Sequence, residues 1–134
     1  MIRAEMSKQL VITVDNRVGT LAEVTKIISA SGINLVAICA YAVDNKGVIM
    51  FVSEDNEKAL KLLKAKKYEI REEPVVLVTI DNKPGTLQSM CEKISAAGID
   101  LTLIYASVAK GDSSSRIVLI SEDNRAVLAT IKLK

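Results

Sequence analysis

The chain has 134 residues, 49% apolar and 25% charged, enough to bury one ordinary core or two very small ones, so general disorder is excluded. Eighteen basic against 16 acidic side chains leave a formal charge of +2 without a basic run, which argues against a surface that tracks nucleic-acid phosphates. No stretch approaches the roughly eighteen apolar residues of a membrane span, and Met1 to Lys8 carries Glu5 and no signal-peptide run, so a cytoplasmic protein is expected.

From the N-terminus, Leu10 to Val14 is a short β-branched run typical of a buried strand. After Asp15 to Gly19, Leu21, Val24, Ile27 and Ile28 recur on one helical face until Gly32 stops the helix. Ile33 to Ala42 and Val48 to Val52 read as two strands joined at Asn45-Lys46-Gly47. Asp55 is placed to cap a helix over Lys58 to Lys66, and Lys67 to Glu73 reads as a fourth strand. The order then begins again. Val75 to Ile80 is a strand, and Leu87, Met90, Cys91 and Ile94 mark a helical face ended by Gly98. Ile99 to Ala109 and Ile117 to Ile120 are strands joined through Gly111-Asp112-Ser113, and Asp123 caps a last helix, Arg125 to Lys132.

The recurrence is an internal repeat. Val14-Asp15-Asn16-Arg17-Val18-Gly19-Thr20-Leu21 matches Ile80-Asp81-Asn82-Lys83-Pro84-Gly85-Thr86-Leu87 at an offset of 66, as Ile28 to Leu35 matches Ile94 to Leu101. Ser53-Glu54-Asp55-Asn56 returns as Ser121-Glu122-Asp123-Asn124 at an offset of 68, which puts two extra residues, expected at a hairpin tip, into the second copy. Gly19, Gly32 and Gly47 are set against Gly85, Gly98 and Gly111, each marking a connection. Each copy reads β-α-β-β-α-β, the split β-α-β or ferredoxin-like order that places both helices on one face of an antiparallel sheet.

The expected fold is therefore α+β, two ferredoxin-like units in tandem over residues 1–73 and 74–134. Seven strands are expected, because the chain stops at Lys134 before a last strand for the second unit. That gap should stay open at the sheet edge or be filled from a neighbouring chain. Val36, Ile38 and Ala40 alternate with Leu35, Ala37 and Cys39, so the second sheet face is apolar too, which argues for a homodimer or higher homo-oligomer.

Asn82-Lys83-Pro84-Gly85-Thr86-Leu87 and Gly32-Ile33-Asn34-Leu35 resemble the signature of the ACT domains, small regulatory units that bind amino acids, and the resemblance covers nearly the whole chain, twice. It implies an amino-acid ligand held at an interface between two copies and an allosteric role in metabolism. By the family's pattern the loop of one unit faces the second strand of the other, which would pair Asn16 with Asp100 and Asn82 with Asn34. Val18 departs from the family's usual proline, while Gly19 is kept.

The residues give such binding a physical basis. A glycine at a helix start lets a ligand approach the free N–H groups of the first turn, whose partial positive charge favours a carboxylate. The amides of Asn16 and Asn82 offer donors and an acceptor, and Asn34 or Asp100 can accept from an ammonium, more strongly at Asp100 because that bond is charge-assisted. The candidate ligand-binding residues are Asn16, Arg17, Gly19, Thr20, Asn34, Asn82, Pro84, Gly85, Thr86 and Asp100. Structural roles compete at the same positions: turn glycines, capping asparagines and an exposed aspartate. Lys58, Lys61 and Lys64 fit a solvated face, and Cys39 and Cys91 small core hydrophobes.

An enzyme is not expected. The chain has no histidine, which removes the commonest general base and the Ser-His and Cys-His schemes. Cys39 and Cys91 show no CxxC spacing, so neither a metal, a cofactor nor a disulfide framework is expected. A phosphate cradle of Arg17 and Asn34, as in acylphosphatase-like enzymes on a similar fold, is undercut by Lys83 and Asp100 in the second copy. RNA binding is undercut by 3% aromatic residues, with Phe51 alone on the third strand. The expected function is sensing of an amino acid and action in trans, because no effector domain accompanies the units. The alternative is a regulatory subunit docked on an amino-acid biosynthetic enzyme, without a ligand site of its own.

Overall fold

The computed structural model describes residues 2–132. Met1, Leu133 and Lys134 lie outside the described residues. The order is β1 (Ile2–Asp15), α1 (Thr20–Ala30), β2 (Leu35–Val43), β3 (Lys46–Ser53), α2 (Asn56–Ala65), β4 (Glu69–Asp81), α3 (Thr86–Ala96), β5 (Leu101–Ser107), β6 (Ser114–Ser121) and α4 (Asn124–Lys132). Two β-α-β-β-α-β units of the expected kind result, but with six strands among the described residues rather than seven, because most of Lys67 to Glu73 and all of Val75 to Ile80, read as separate strands, fall on the single β4.

The first compact unit is residues 8–73, and the second combines residues 74–132 with Ile2–Ser7. The N-terminal residues, expected in the first unit, therefore belong to the second. In the first unit the strands run β2-β3-β1-β4, with the opening half of β4 as the last. In the second they run β1-β4-β6-β5, and the opening half of β1 takes the place of the strand that does not follow α4 among the described residues. The expectation of an open edge or a strand lent by another chain is corrected: the chain fills the gap from its own N-terminus. A period-2 pattern drives this, since Ala4 is buried and Ile2 half-buried while Arg3 and Glu5 face solvent.

The helix-facing cores repeat position by position. Leu10, Ile12, Val24, Ile28, Ile49, Phe51, Ala59 and Leu63 form the first, and Val76, Val78, Met90, Ile94, Ile117, Leu119, Val127 and Ile131 form the second. Phe51 with Ala59 is replaced by Leu119 with Val127, a large-small exchange that preserves filled volume. The recurring Ser-Glu-Asp-Asn block is structural. Asn56 Oδ1 accepts from Ser53 N at 2.9 Å while its Nδ2 donates to the Lys8 carbonyl at 2.8 Å, tying the end of β3 to β1. Asn124 repeats this with Ser121 N at 2.9 Å and the Pro74 carbonyl at 3.2 Å. Asp55 and Asp123 cap the helices through the Lys58 and Ala126 N–H groups, as expected.

Two further expectations change. Gly47 lies inside β3, opposite Val14, and its structural counterpart is Ser115 opposite Ile80, not Gly111. The first hairpin turns at Asp44-Asn45, with Asp44 at φ 55°, and the extra residues of the second copy form the longer connection that carries Gly111 at φ 93°. The sheet face away from the helices is not bare either, for Val11, Met50 and Val52 are buried within the chain. Exposed large apolar residues lie on the edge strands, with Ile38, Tyr41 and Val43 on β2 and Ile104 on β5, and also on helices α1 and α3 at Leu21 and Leu87.

Candidate functional site

Each first strand of a unit ends in a loop that enters a helix through a left-handed glycine. Gly19 has φ 94° and Gly85 φ 91°, a conformation costing an L-residue about 1–2 kcal/mol. A Cβ at either would meet nothing within 4 Å, so the demand is conformational and the space above the turn is open. The Val18 loop thus enters its helix through the same glycine conformation as the Pro84 loop, and Val18 itself is fully exposed.

The loop asparagines do not cap their helices. The Asn16 N–H donates to the Asn45 carbonyl and the Asn82 N–H to the Ser113 carbonyl, each at 2.9 Å. Their amides differ. Asn82 Nδ2 donates to the Asp112 carbonyl at 2.8 Å, so the longer hairpin of the second copy engages it, whereas Asn16 is exposed and its amide makes no such bond among the described residues. The Thr86 N–H donates to the Lys83 carbonyl at 3.3 Å, while in the first unit it is Thr20 Oγ1 that reaches back to the Arg17 carbonyl, also at 3.3 Å.

Beside the first loop lies a cleft of about 200 Å³. Asp15, Asn16, Arg17 and Thr20 form one wall, and Val14, Leu21, Ala40, Tyr41, Ala42, Gly47, Val48 and Ile49 the rest. Asn16, Arg17 and Thr20, singled out in the sequence, therefore come together, and strand register brings Ala40, Ala42 and Gly47 to them. Sequence reasoning missed those three and Tyr41; the available signal was the run of small residues toward the end of β2.

The polar wall is dipolar. Lys46 Nζ lies 2.8 Å from Asp15 Oδ1 and Arg17 Nη2 lies 3.3 Å from Glu23 Oε2. The hydrogen bond from Lys46 holds the Asp15 carboxyl below its usual range and raises the Lys46 ammonium above its own. Both are charged at neutral pH. Burial, then the nearby Glu23, pushes the Tyr68 phenol up, and its hydroxyl donates to Glu23 Oε1 at 3.3 Å. A second polar hollow joins Asp15, Arg17 and Thr20 to Lys67 and Glu69.

Asn34 and Asp100 lie elsewhere. Each lines a hollow past the C-terminal end of α1 or α3, formed by equivalent residues: Thr25, Ile28, Ser29, Gly32, Ile33 and Leu35 around Asn34, and Cys91, Ile94, Ser95, Gly98, Ile99 and Leu101 around Asp100. An eleven-residue helix, about 16 Å long, separates them from the loop asparagine of their own unit. Within each unit the loop asparagine and the second-strand residue thus lie apart, whereas the expected pairs, Asn16 with Asp100 and Asn82 with Asn34, join residues of different units.

Among the described residues no cluster of His, Cys, Asp and Glu could hold a metal ion, and no helix is long and apolar enough to cross a membrane. The chain matches the family described as an ACT domain pair over residues 5–132. A crystal structure of a Bacteroides thetaiotaomicron protein is similar at 27% identity and TM-score 0.89, covering 96% of this chain and 88% of that one. The ligand-free regulatory subunit of aspartate kinase from Thermus thermophilus shares the fold at 14% identity and TM-score 0.69, with 98% and 95% covered. That from Thermus flavus does so at 15% and 0.65, with 98% and 94% covered. No curated protein matches.

Proposed function

We propose, on the premise that this chain belongs to the ACT domain pair family, that it is a regulatory protein that binds a free amino acid and acts in trans. The carrying observation is the first-unit cleft. It offers an unbonded Asn16 amide, the opposite charges of Arg17 and Asp15, and an apolar remainder, in a volume of about 200 Å³. That is below the roughly 300–1,000 Å³ usual for drug-sized ligands and suits a smaller molecule. The zwitterion's carboxylate has Asn16, the Thr20 N–H and Arg17, which also pairs with Glu23, as donors, and its ammonium has Asp15, which also pairs with Lys46, as acceptor. In the second unit Asn82, Pro84, Gly85 and Thr86 form the equivalent loop, with the Asn82 amide already engaged. Asn34 and Asp100 remain proposed ligand residues by the resemblance to the family.

A thermal-shift screen against the twenty amino acids tests this. A ligand at 100 times its dissociation constant adds about 2.7 kcal/mol of stability. Asn16→Ala should remove most of that gain without changing the unliganded melting temperature, and Asn82→Ala should remove less. No shift with any amino acid would overturn the reading. One observation favours a second reading, a regulatory subunit that docks without a ligand. Val18 is fully exposed, and Tyr41 and Val43 on edge strand β2 are 48% and 58% exposed, a surface suited to a biosynthetic enzyme or a second copy of the chain. That reading gains only if the screen is blank.

A further inference from the structure

We infer that the first-unit cleft selects an aliphatic amino acid, such as valine, leucine or isoleucine; the inference rests on the sensor reading and narrows it. The floor is built by register. Ala40 stands opposite Ile49 and Ala42 opposite Gly47, while Gly47 also stands opposite Val14. Residues directly opposite on neighbouring strands share a sheet face, so Val14, Ala40, Ala42, Gly47 and Ile49 form one continuous surface of methyl groups and bare backbone. The charges of the cleft are confined to the loop wall, at Asp15 and Arg17.

Charged and small side chains each meet a physical objection. With the zwitterion on Asn16, Arg17 and Asp15, a charged side chain laid along the floor loses water and gains no partner, which is strongly unfavourable. A glycine or serine leaves the floor wet and forgoes the gain from burying apolar surface. The floor is low because its residues are small, and Val14 already closes over Gly47 on that face: a Cβ at Gly47 would lie 3.1 Å from Val14 Cγ2. The second unit lacks this surface. Val108 stands where Ala42 does and Ser115 where Gly47 does, with the Ser115 hydroxyl donating to the Ser107 carbonyl at 3.3 Å. The selectivity therefore belongs to the first unit.

Titration calorimetry of the full chain with leucine, isoleucine, valine, glycine, serine, lysine, aspartate and phenylalanine tests this. Aliphatic ligands should bind at least about tenfold more tightly than glycine or serine. Ala40→Leu and Ala42→Leu, both at exposed positions, should weaken them by about tenfold or more while the unliganded melting temperature holds. Tightest binding by a charged, small polar or aromatic amino acid overturns the inference and leaves the sensor reading standing. Aliphatic binding untouched by both Ala40→Leu and Ala42→Leu overturns the location. No binding at all overturns the sensor reading and the inference together.

Discussion

Gln9 and Glu73 show how single residues are fixed by their surroundings. Gln9 is fully buried and its Nε2 donates to Glu73 Oε1 at 2.8 Å, while Arg71 Nη1 donates to Glu73 Oε2 at 2.8 Å. Burial works to raise the Glu73 carboxyl, and the bonds from Arg71 and Gln9 together outweigh it, so its pKa lies below the usual value. A carboxyl held low stabilises the fold above its unfolded pKa and loses that contribution as pH falls through the folded one. Glu73→Gln should therefore cost about 0.5–1 kcal/mol at pH 7 and almost nothing near pH 3, as read by urea unfolding; an equal cost at both values would refute the ionic role. At this scale the sequence was partly legible. Gly19, Gly32, Gly85 and Gly98 and the capping aspartates were read correctly because their geometry is local, whereas Gly47, read as a turn, falls inside β3. The free amide of Asn16 and the engaged amide of Asn82 were not, because a hairpin thirty residues away in sequence sets the difference.

Elements repeat more faithfully than residues. The same two helices pack on the same strands in each unit, and the periodicity that marked them is the periodicity of burial. Where the copies differ in the core, they differ in pairs. Phe51 and Ala59 exchange with Leu119 and Val127, on the third strand and second helix of each unit. If that exchange is compensatory, Phe51→Leu and Ala59→Val should each destabilise the first unit by about 1–3 kcal/mol. The double variant should cost clearly less than their sum, a coupling of at least about 0.5 kcal/mol in a double-mutant cycle. Strict additivity would show that the two positions do not share volume. Element ends were less legible than elements: the first hairpin turn fell two residues from its expected centre because Asp44 adopts φ 55°, a conformation glycine was expected to supply.

For the whole molecule the governing feature is the length of β1 and β4, 14 and 13 residues, each beginning as the last strand of one unit and ending as the first strand of the other. The alternation of Ile2, Ala4 and Met6 was there to be read, but it follows no repeat partner, and a pattern sought by self-comparison cannot reveal a strand that only one copy takes from the N-terminus. Deleting residues 2–7 should cost at least about 3 kcal/mol, because it removes buried Ala4 and half-buried Ile2 together with their strand pairing. Amide exchange should then accelerate first over residues 74–132, and a uniform loss of protection, or none, would contradict the assignment. The same arrangement has a consequence for biosynthesis. Ile2–Ser7 leave the ribosome well before the segments they complete, at about 5–20 residues per second, so a β-prone N-terminal segment waits seconds to tens of seconds for its neighbours. The first unit has all its strands once Glu73 has emerged, whereas the second closes only when late strands return to meet an early one. Such distant pairing is slow, and it makes Ile2–Ser7 a place where a chaperone, or a misdirected neighbour, can engage the unfinished second unit.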